Sequence, residues 1–208
     1  MSAPALSFVH RFEPAVRPGP PPVLLLHGTG GDETDLIPLG RTVAPGAALL
    51  SPRGKVLEGG MPRFFRRLAE GVFDEDDLRR RADELAGFVD QARKAYGLSA
   101  PVALGFSNGA NIAAAMLLLR PDAFAGAILI RAMEPFREAS PVRLPGTPVL
   151  ILSGSADPIV PIDNPKRLAA TLAAAGAAVE HEILPGGHAL IQADLVRSRA
   201  WMDRLAAG

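Results

Sequence analysis

The sequence predicts an α/β protein with a mostly parallel central sheet and helices on both of its faces. Short apolar runs rich in Val, Ile and Leu recur along the 208-residue chain, and longer stretches with helical periodicity separate them. Most of the short runs are apolar throughout, as expected of strands that are buried on both faces of a parallel sheet. Strands that alternate with helices in this way indicate an open α/β sheet.

Six runs are predicted to be strands. They are Val23–Leu26, Ala47–Leu50, Pro101–Leu104, Ala125–Ile130, Pro148–Leu152 and Val179–Leu184. The last run differs from the others because apolar and polar residues alternate in VEHEIL. Alternation indicates a strand with one exposed face, so this strand is expected at an edge of the sheet.

Four helices are predicted between and after these strands. They cover approximately Leu78–Tyr96, Asn111–Leu119, Pro165–Ala175 and Leu190–Leu205. The first has apolar residues at three- and four-residue spacing and Gly97 as a C-terminal cap. The second is almost entirely apolar, which predicts a buried helix.

The composition argues against several classes of function. The 22 basic residues equal the 22 acidic ones, so no electrostatic case exists for binding nucleic acid or an anionic membrane. The absence of cysteine excludes disulfides, cysteine metal sites and a cysteine nucleophile. The longest apolar stretch, Ile112–Leu119, is far shorter than the ~20 residues that cross a bilayer. The N-terminus lacks the pattern of a secretory signal, so a cytoplasmic protein is expected.

Residues 1–208 are predicted to form a single domain, because no repeat or linker divides the chain. Within it, residues 54–78 do not fit the alternation of strands and helices, and they contain three of the nine phenylalanines. Long irregular loops are often functional. The segment is therefore either a lid or acyl-pocket wall, or a surface excursion whose aromatic residues pack down. The candidate pocket residues are Met61, Phe64, Phe65, Phe73 and Ile159.

The sequence GFSNGA places Ser107 in a G-x-S-x-G pattern. A buried strand precedes this serine and an apolar helix follows it, which is the strand–turn–helix context of a nucleophile elbow. Small residues are needed where the chain reverses, and the helix N-terminus favours developing negative charge. Ser107 is therefore predicted to be a nucleophile.

A serine nucleophile needs a base and an acid. Among the four histidines, His188 fits best, since LPGGHAL places it in a glycine-rich loop between the last strand and the last helix. Asp157 directly follows another buried strand and gives the chain order Ser, Asp, His. Asp163 is a competitor for the acid, although its sequence context also suggests a helix cap.

The glycine-rich sequence LLLHGTGGDE follows the first buried strand. The backbone N–H groups of Thr29 and Asn108 are predicted to form an oxyanion hole for acyl transfer. A phosphate-binding role is disfavoured, because the loop lacks the Gly-Lys-Ser/Thr ending of a P-loop and Glu33 replaces the third glycine of a dinucleotide-binding motif.

Together, the stretches LHGTGGDE, SPRG, GFSNGA, GSADPIVP and GGHAL resemble the carboxylesterase/phospholipase family of α/β-hydrolases, which includes the acyl-protein thioesterases. The resemblance extends over nearly the whole chain, and GMPRFFRRLAEGVFDEDDL is similar to a bacterial carboxylesterase subgroup with MhqD-like members. It implies an α/β-hydrolase fold with a minimal cap. It also implies a triad of Ser107, Asp157 and His188, with Thr29 and Asn108 as oxyanion donors, and no metal or cofactor.

The predicted activity is hydrolysis of small to medium carboxylic esters through an acyl-enzyme on Ser107. A thioesterase or lysophospholipase with the same triad is the alternative, and a non-catalytic binding or sensing module is a third. The expected partner is a small-molecule ester, and a homodimer is left open. Four arginines form either an ordinary solvated face or a site for a substrate carboxylate or phosphate near the mouth of the active site. They are Arg53, Arg63, Arg66 and Arg67.

Overall fold

The computed structural model describes residues 6–138 and 142–207. The strands within these residues are His10–Glu13 (β1), Val23–Leu26 (β2), Leu49–Pro52 (β3), Val56–Glu58 (β4), Met61–Arg63 (β5), Arg67–Ala69 (β6), Val72–Phe73 (β7), Val102–Phe106 (β8), Gly126–Ile130 (β9), Pro148–Gly154 (β10) and Ala178–Leu184 (β11). The helices are Ile37–Val43 (α1), Glu75–Tyr96 (α2), Asn108–Leu119 (α3), Asp163–Ala174 (α4) and Gln192–Ala207 (α5). A short 3₁₀ helix covers Pro121–Ala123.

Seven of the strands form one sheet in the order β1-β3-β2-β8-β9-β10-β11. All neighbouring pairs are parallel except β1 and β3, which are antiparallel. The predicted mostly parallel sheet is confirmed, and so is the edge position of β11. Strand β1 was not predicted, because its short sequence HRFE is only partly buried and carries no apolar run.

Helices cover both faces of the sheet, as the sequence predicts. One apolar cluster joins the sheet to α2, α3 and α4, and a second cluster joins the opposite face to α1 and α5. Helix α3 is buried from Asn108 to Leu118, which agrees with its nearly uniform apolar sequence. Helix α1 was missed because its sequence IPLGRTV contains a proline and a glycine, both poor helix formers.

The segment between β3 and α2 is more regular than the predicted long loop. Strands β4 and β5 form one antiparallel hairpin, and β6 and β7 form a second. Helix α2 then begins at Glu75, three residues before the predicted start, because the Asp74 side chain accepts a 3.0 Å hydrogen bond from Asp77 N and caps it. The excursion is therefore a pair of small hairpins at the end of β3.

Several loops meet at the carboxyl edge of the parallel strands. The chain leaves β2, β8, β10 and β11 at this edge and enters the loops that contain Thr29, Ser107, Asp157 and His188. Open α/β sheets build their binding sites there. None of the helices in the described ranges is long and apolar enough to cross a bilayer.

Candidate active site

The turn between β8 and α3 holds Ser107 in a backbone conformation that residues other than glycine rarely adopt. Its φ is 51° and its ψ is −114°, and such conformations cost on the order of 1–3 kcal/mol. Two backbone hydrogen bonds hold the turn, from Ser107 N to Ile130 O and from Asn111 N to Ser107 O, each 2.9 Å long. Strain of this kind persists only where the surrounding structure fixes it.

The glycines on either side of the serine leave no room for a side chain. A Cβ on Gly105 would lie 2.6 Å from the backbone of Ala110, and a Cβ on Gly109 would lie 1.9 Å from Leu26 O. Both distances are shorter than the contacts that Cβ atoms make in proteins. Packing of the turn against β2 and α3 therefore requires the G-x-S-x-G pattern.

His188 lies between Ser107 and Asp157 and bonds to both. His188 Nδ1 is 2.8 Å from Asp157 Oδ2, and His188 Nε2 is 2.8 Å from Ser107 Oγ. An ionised carboxylate can only accept, so Nδ1 carries the proton and Nε2 presents its lone pair to the serine hydroxyl. A continuous hydrogen-bonded chain thus joins the three predicted residues.

The Asp157 carboxylate is buried and fully bonded. Its side chain is 1% exposed, and its second oxygen accepts hydrogen bonds from Ile159 N at 2.8 Å and Val160 N at 3.0 Å. These bonds compensate the buried charge and fix its orientation. The competitor, Asp163, is 79% exposed and pairs with Lys166 on α4, away from His188.

The other three histidines have separate partners. His10 contacts the Tyr96 hydroxyl, and His181 contacts Ser153 Oγ. His27 is buried, donates from Nδ1 to Gly28 O and accepts at Nε2 from Gly54 N. Burial lowers the pKa of His27, with the Gly28 carbonyl acting in the opposite direction. A neutral His27 therefore ties the loop after β2 to the chain that leaves β3.

Thr29 and Asn108 both line the cavity that contains Ser107. Asn108 is the first residue of α3, so its N–H belongs to the unpaired donors at the helix N-terminus. Within the described residues, neither its N–H nor that of Thr29 donates to a protein acceptor. Both N–H groups are available to a ligand, as an oxyanion hole requires.

Residues 62–64 bond both to the loop after β2 and to the first residue of α3. Pro62 O accepts a 3.0 Å hydrogen bond from Gly30 N. Arg63 Nη1 donates to Thr29 Oγ1 at 2.7 Å, and the backbone N–H of Phe64 donates to Asn108 Oδ1 at 2.8 Å. The first hairpin and the residue after it thus bond to Thr29 and Asn108, the two predicted oxyanion donors. This role was not predicted from the sequence.

The cavity above Ser107 has a volume of about 280 Å³. Its lining residues include Ser107, His188, Thr29, Asn108, Asn111, Phe106, Arg63, Arg67, Glu70, Gly71, Phe73, Arg131, Met133, Ile159 and Val160. Phe73 and Ile159, two of the predicted pocket residues, line this cavity. The wall is mixed in polarity, with arginine, glutamate and asparagine beside the apolar groups.

Three predicted pocket residues lie elsewhere. Phe64 and Phe65 are 2% and 0% exposed and belong to the apolar core. Phe64 packs on the His27 ring and Phe65 on Phe73, so their rings support the hairpins from beneath. Met61 is 46% exposed and lies beside Gly30, outside the cavity lining. The prediction was wrong for Phe64 and Phe65 because they anchor the hairpins to the core, and for Met61 because its side chain lies outside the cavity.

The four arginines that were predicted to form a solvated face or to bind substrate separate into two pairs. Arg53 bonds to Glu33, and Arg66 bonds to Asp74, both on the surface. Arg63 and Arg67 line the cavity, and both pair with Glu58. A solvated face therefore describes only the first pair.

A buried ion pair supports the loop that carries His188. The Arg131 guanidinium bonds to Asp194 through Nη1 at 2.9 Å and Nη2 at 3.0 Å, and both side chains are 0% exposed. Arg131 Nε also donates to Gly187 O at 2.8 Å, one residue before the histidine. This pair was not predicted, although an arginine directly after the apolar run of β9 was an available signal.

Metal ligation has no candidate in the parts of the chain that the structure describes. No group of three or more His, Asp or Glu side chains is placed there to hold a metal ion.

Comparison with known proteins gives a consistent result. The model of the phospholipase/carboxylesterase family matches residues 13–202. MhqD of Bacillus subtilis (strain 168), named as a hydrolase, is 45% identical over 181 residues, which cover 86% of this chain and 90% of MhqD. The crystal structure of a Bacillus cereus carboxylesterase is 44% identical with a TM-score of 0.93, covering 95% of this chain and 94% of that one. A Mesorhizobium loti carboxylesterase is 32% identical with a TM-score of 0.91, covering 96% of each chain. The chain belongs to the phospholipase/carboxylesterase family of α/β-hydrolases.

Proposed function

We propose that the protein is a serine carboxylesterase in which Ser107 attacks the carbonyl carbon of a small carboxylic ester. The observation that carries this proposal is the position of His188, 2.8 Å from Ser107 on one side and 2.8 Å from Asp157 on the other. A nucleophile, a base and an orienting acid in hydrogen-bond contact are the requirements of acyl transfer.

The reaction follows from these contacts. His188 Nε2 takes the Ser107 proton as Oγ bonds to the carbonyl carbon, and the carbonyl oxygen gains a negative charge. The free N–H groups of Thr29 and Asn108 stabilise this oxyanion. His188 then protonates the leaving alcohol, and an acyl group stays on Ser107. Water, deprotonated by His188, attacks the acyl carbon and releases the acid.

The cavity favours small substrates. Its volume of about 280 Å³ is just below the roughly 300–1,000 Å³ range of ligand pockets. A lysophospholipid would need a long apolar groove, whereas this wall carries Arg63, Arg67 and Glu70. A thioester of a small acid would use the same residues and remains the alternative substrate class. A cytoplasmic location and a homodimer remain predictions from the sequence.

Fluorophosphonate labelling tests the nucleophile. Native protein is expected to gain one phosphonyl group by intact mass, and Ser107→Ala is expected to gain none. Ser155→Ala is the matched control, since Ser155 is exposed on a loop at the same edge of the sheet and is expected to leave labelling unchanged.

Ester turnover completes the test. Hydrolysis of 4-nitrophenyl esters with acyl chains of two to eight carbons is expected to disappear in Ser107→Ala and to decline for the longer chains in native protein. Native protein that takes up no label and hydrolyses no ester faster than Ser107→Ala would overturn the proposal and leave a non-catalytic member of the family.

A further inference from the structure

One guanidinium nitrogen in the cavity wall has no acceptor among the residues that the structure describes. The Arg63 side chain is 4% exposed, and its Nε lies 3.2 Å from both Phe65 O and Glu58 Oε2. Its Nη1 donates to Thr29 Oγ1 at 2.7 Å. Nη2 makes no hydrogen bond with any described residue, yet Arg63 lines the cavity that contains Ser107. Nη2 is therefore open to the cavity, where a charged acceptor of a ligand could replace solvent.

The charges around Arg63 do not cancel. Glu58 is shared between two arginines, because Arg67 also donates to Glu58 Oε1 from Nε at 2.9 Å and Nη2 at 2.7 Å. Two positive charges therefore share one negative charge at this wall. Burial lowers the pKa of Arg63, and Arg67 adds to that effect while Glu58 opposes it. Glu70 lines the same cavity, but it is exposed, so solvent screens its charge.

The neighbouring side chains also present donors. Asn108 uses its oxygen to accept from Phe64 N, and its amide nitrogen is buried without an acceptor among the described residues. Asn111 uses its oxygen in the same way, accepting from Met133 N at 2.7 Å. In both residues the backbone donor fixes which end is the oxygen, so the NH₂ groups remain as donors. This wall has more donors than acceptors.

Arg131, the other arginine of the cavity, shows the contrast. Two hydrogen bonds to Asp194 neutralise its charge, so it offers no net charge to a ligand. The unbalanced charge belongs to Arg63 and Arg67.

We propose that Arg63, with Arg67 beside it, binds a free carboxylate of the substrate. The preferred substrates are then esters that carry a second, ionised carboxyl group, either half-esters of dicarboxylic acids or esters whose alcohol part bears a carboxylate. The planar guanidinium and its N–H groups match the geometry of a carboxylate. This assignment rests on the proposed reaction of Ser107.

Arg63 also holds Thr29, so a purely structural role must be separable. Loss of the bond to Thr29 Oγ1 would disturb the oxyanion donor and slow charged and neutral esters by the same factor. Loss of a carboxylate site would slow only the charged ester. The ratio of kcat/KM for matched charged and neutral esters is therefore the readout.

Two pairs of esters separate the acid and alcohol sides. The mono-4-nitrophenyl ester of adipic acid is compared with 4-nitrophenyl 6-methylheptanoate, in which an isopropyl group replaces the carboxylate. On the alcohol side, 4-acetoxybenzoate is compared with 4-isopropylphenyl acetate. Native protein is expected to favour the charged member of at least one pair, and preference for the neutral member of both would overturn the proposal.

Variants of the hairpin arginines complete the experiment. Arg63→Gln is expected to lower the charged-to-neutral ratio by about 10- to 100-fold, as for loss of a charged hydrogen bond, and Arg67→Gln by a smaller factor. Arg66→Gln is the matched control, since Arg66 is on the same segment but pairs with Asp74 at the surface. An unchanged ratio in both Arg63→Gln and Arg67→Gln would overturn the proposal.

Binding without turnover separates this proposal from the proposed reaction. Adipate is titrated into Ser107→Ala by calorimetry, with hexanoate as the neutral-tailed comparison. Saturable binding of adipate that is tighter than that of hexanoate, and that is lost in Ser107→Ala/Arg63→Gln, supports the carboxylate site even if no ester is hydrolysed. Equal affinity for adipate and hexanoate overturns it, even if Ser107 is shown to be the nucleophile.

Discussion

The two walls of the cavity are built in different ways. The loop wall consists of Ser107 and His188, with Asp157 buried behind His188, on loops that follow β8, β10 and β11. The hairpin wall is formed by the two hairpins of residues 56–73, of which Arg63, Arg67, Glu70, Gly71 and Phe73 line the cavity. In the loop wall each side chain bonds to a neighbour, whereas the hairpin wall exposes several apolar side chains and contains the incompletely paired Arg63. The exposed side chains are Leu57, Met61, Leu68 and Val72.

The buried arginines show what this difference means. Arg131 has two carboxylate contacts and also donates to Gly187 O, so its bonding is complete and it fixes the histidine loop. Arg63 shares Glu58 with Arg67 and keeps one nitrogen without a hydrogen bond to any described residue. Complete bonding is suited to holding reacting groups in place, and incomplete bonding is suited to receiving a ligand.

The largest expected effect is on the loop wall. Asp157→Asn keeps the shape of the side chain but disturbs the tautomer of His188, so kcat for 4-nitrophenyl acetate should fall about 10⁴-fold. Asp163→Asn is the control, because Asp163 is exposed on α4, and should leave kcat unchanged. If Asp163→Asn lost activity instead, the assignment of the acid would be wrong.

Loss of the buried ion pair should destabilise the fold. Asp194→Asn leaves the Arg131 charge without compensation, which should lower the free energy of unfolding by about 3–5 kcal/mol in urea titrations. The control is Asp203→Asn, which breaks the exposed pair with Arg199 on the same helix and should cost less than about 1 kcal/mol.

Replacement of both residues of this pair separates its effect on stability from its effect on the position of His188. Arg131→Met combined with Asp194→Leu should restore much of the stability, because apolar replacements of a buried ion pair are often neutral. Activity should nevertheless be low, since the double variant lacks the hydrogen bond from Arg131 Nε to Gly187 O. Full activity in this double variant would show that the pair does not position His188.

A smaller effect is expected where the hairpin wall meets the nucleophile turn. Asn108→Ala leaves Phe64 N buried without an acceptor, so the free energy of unfolding should fall by about 1–3 kcal/mol. Ester turnover should fall as well, although the backbone N–H at position 108 remains. Asn164→Ala removes a similar side-chain acceptor from Glu134 N, away from Ser107. That control should lower stability without slowing turnover. Equal turnover in both variants would show that the bond between Phe64 N and Asn108 Oδ1 does not affect the reaction of Ser107.

The meeting of Ser107, Asp157 and His188 could be predicted from the sequence, whereas the two hairpins could not. Ser107, Asp157 and His188 each follow an apolar strand, and parallel strands bring their carboxyl ends to one edge, so their meeting could be predicted from order alone. The hairpins contain no long periodic run, and Phe64 and Phe65 resemble substrate contacts as much as core residues. Phe64 packs on the His27 ring, which lies far earlier in the chain, and Phe65 packs on Phe73 of the second hairpin. Long-range packing of this kind leaves no local pattern.

The smallest expected effect concerns pH and the anchoring of the hairpin wall. Burial lowers the pKa of His27 below its ordinary value of 6.5. Below about pH 6.5 the unfolded chain therefore binds more protons at this residue than the folded protein does. The free energy of unfolding falls there by at most ~1.4 kcal/mol per pH unit. Because His27 accepts from Gly54 N, amides of residues 54–73 should exchange faster at pH 5.5 than at 7.5, after correction for intrinsic rates. His27→Gln should abolish this dependence. His181→Gln should not, although burial lowers the pKa of His181 too. If the dependence disappeared in His181→Gln instead, His181 would be the titrating group.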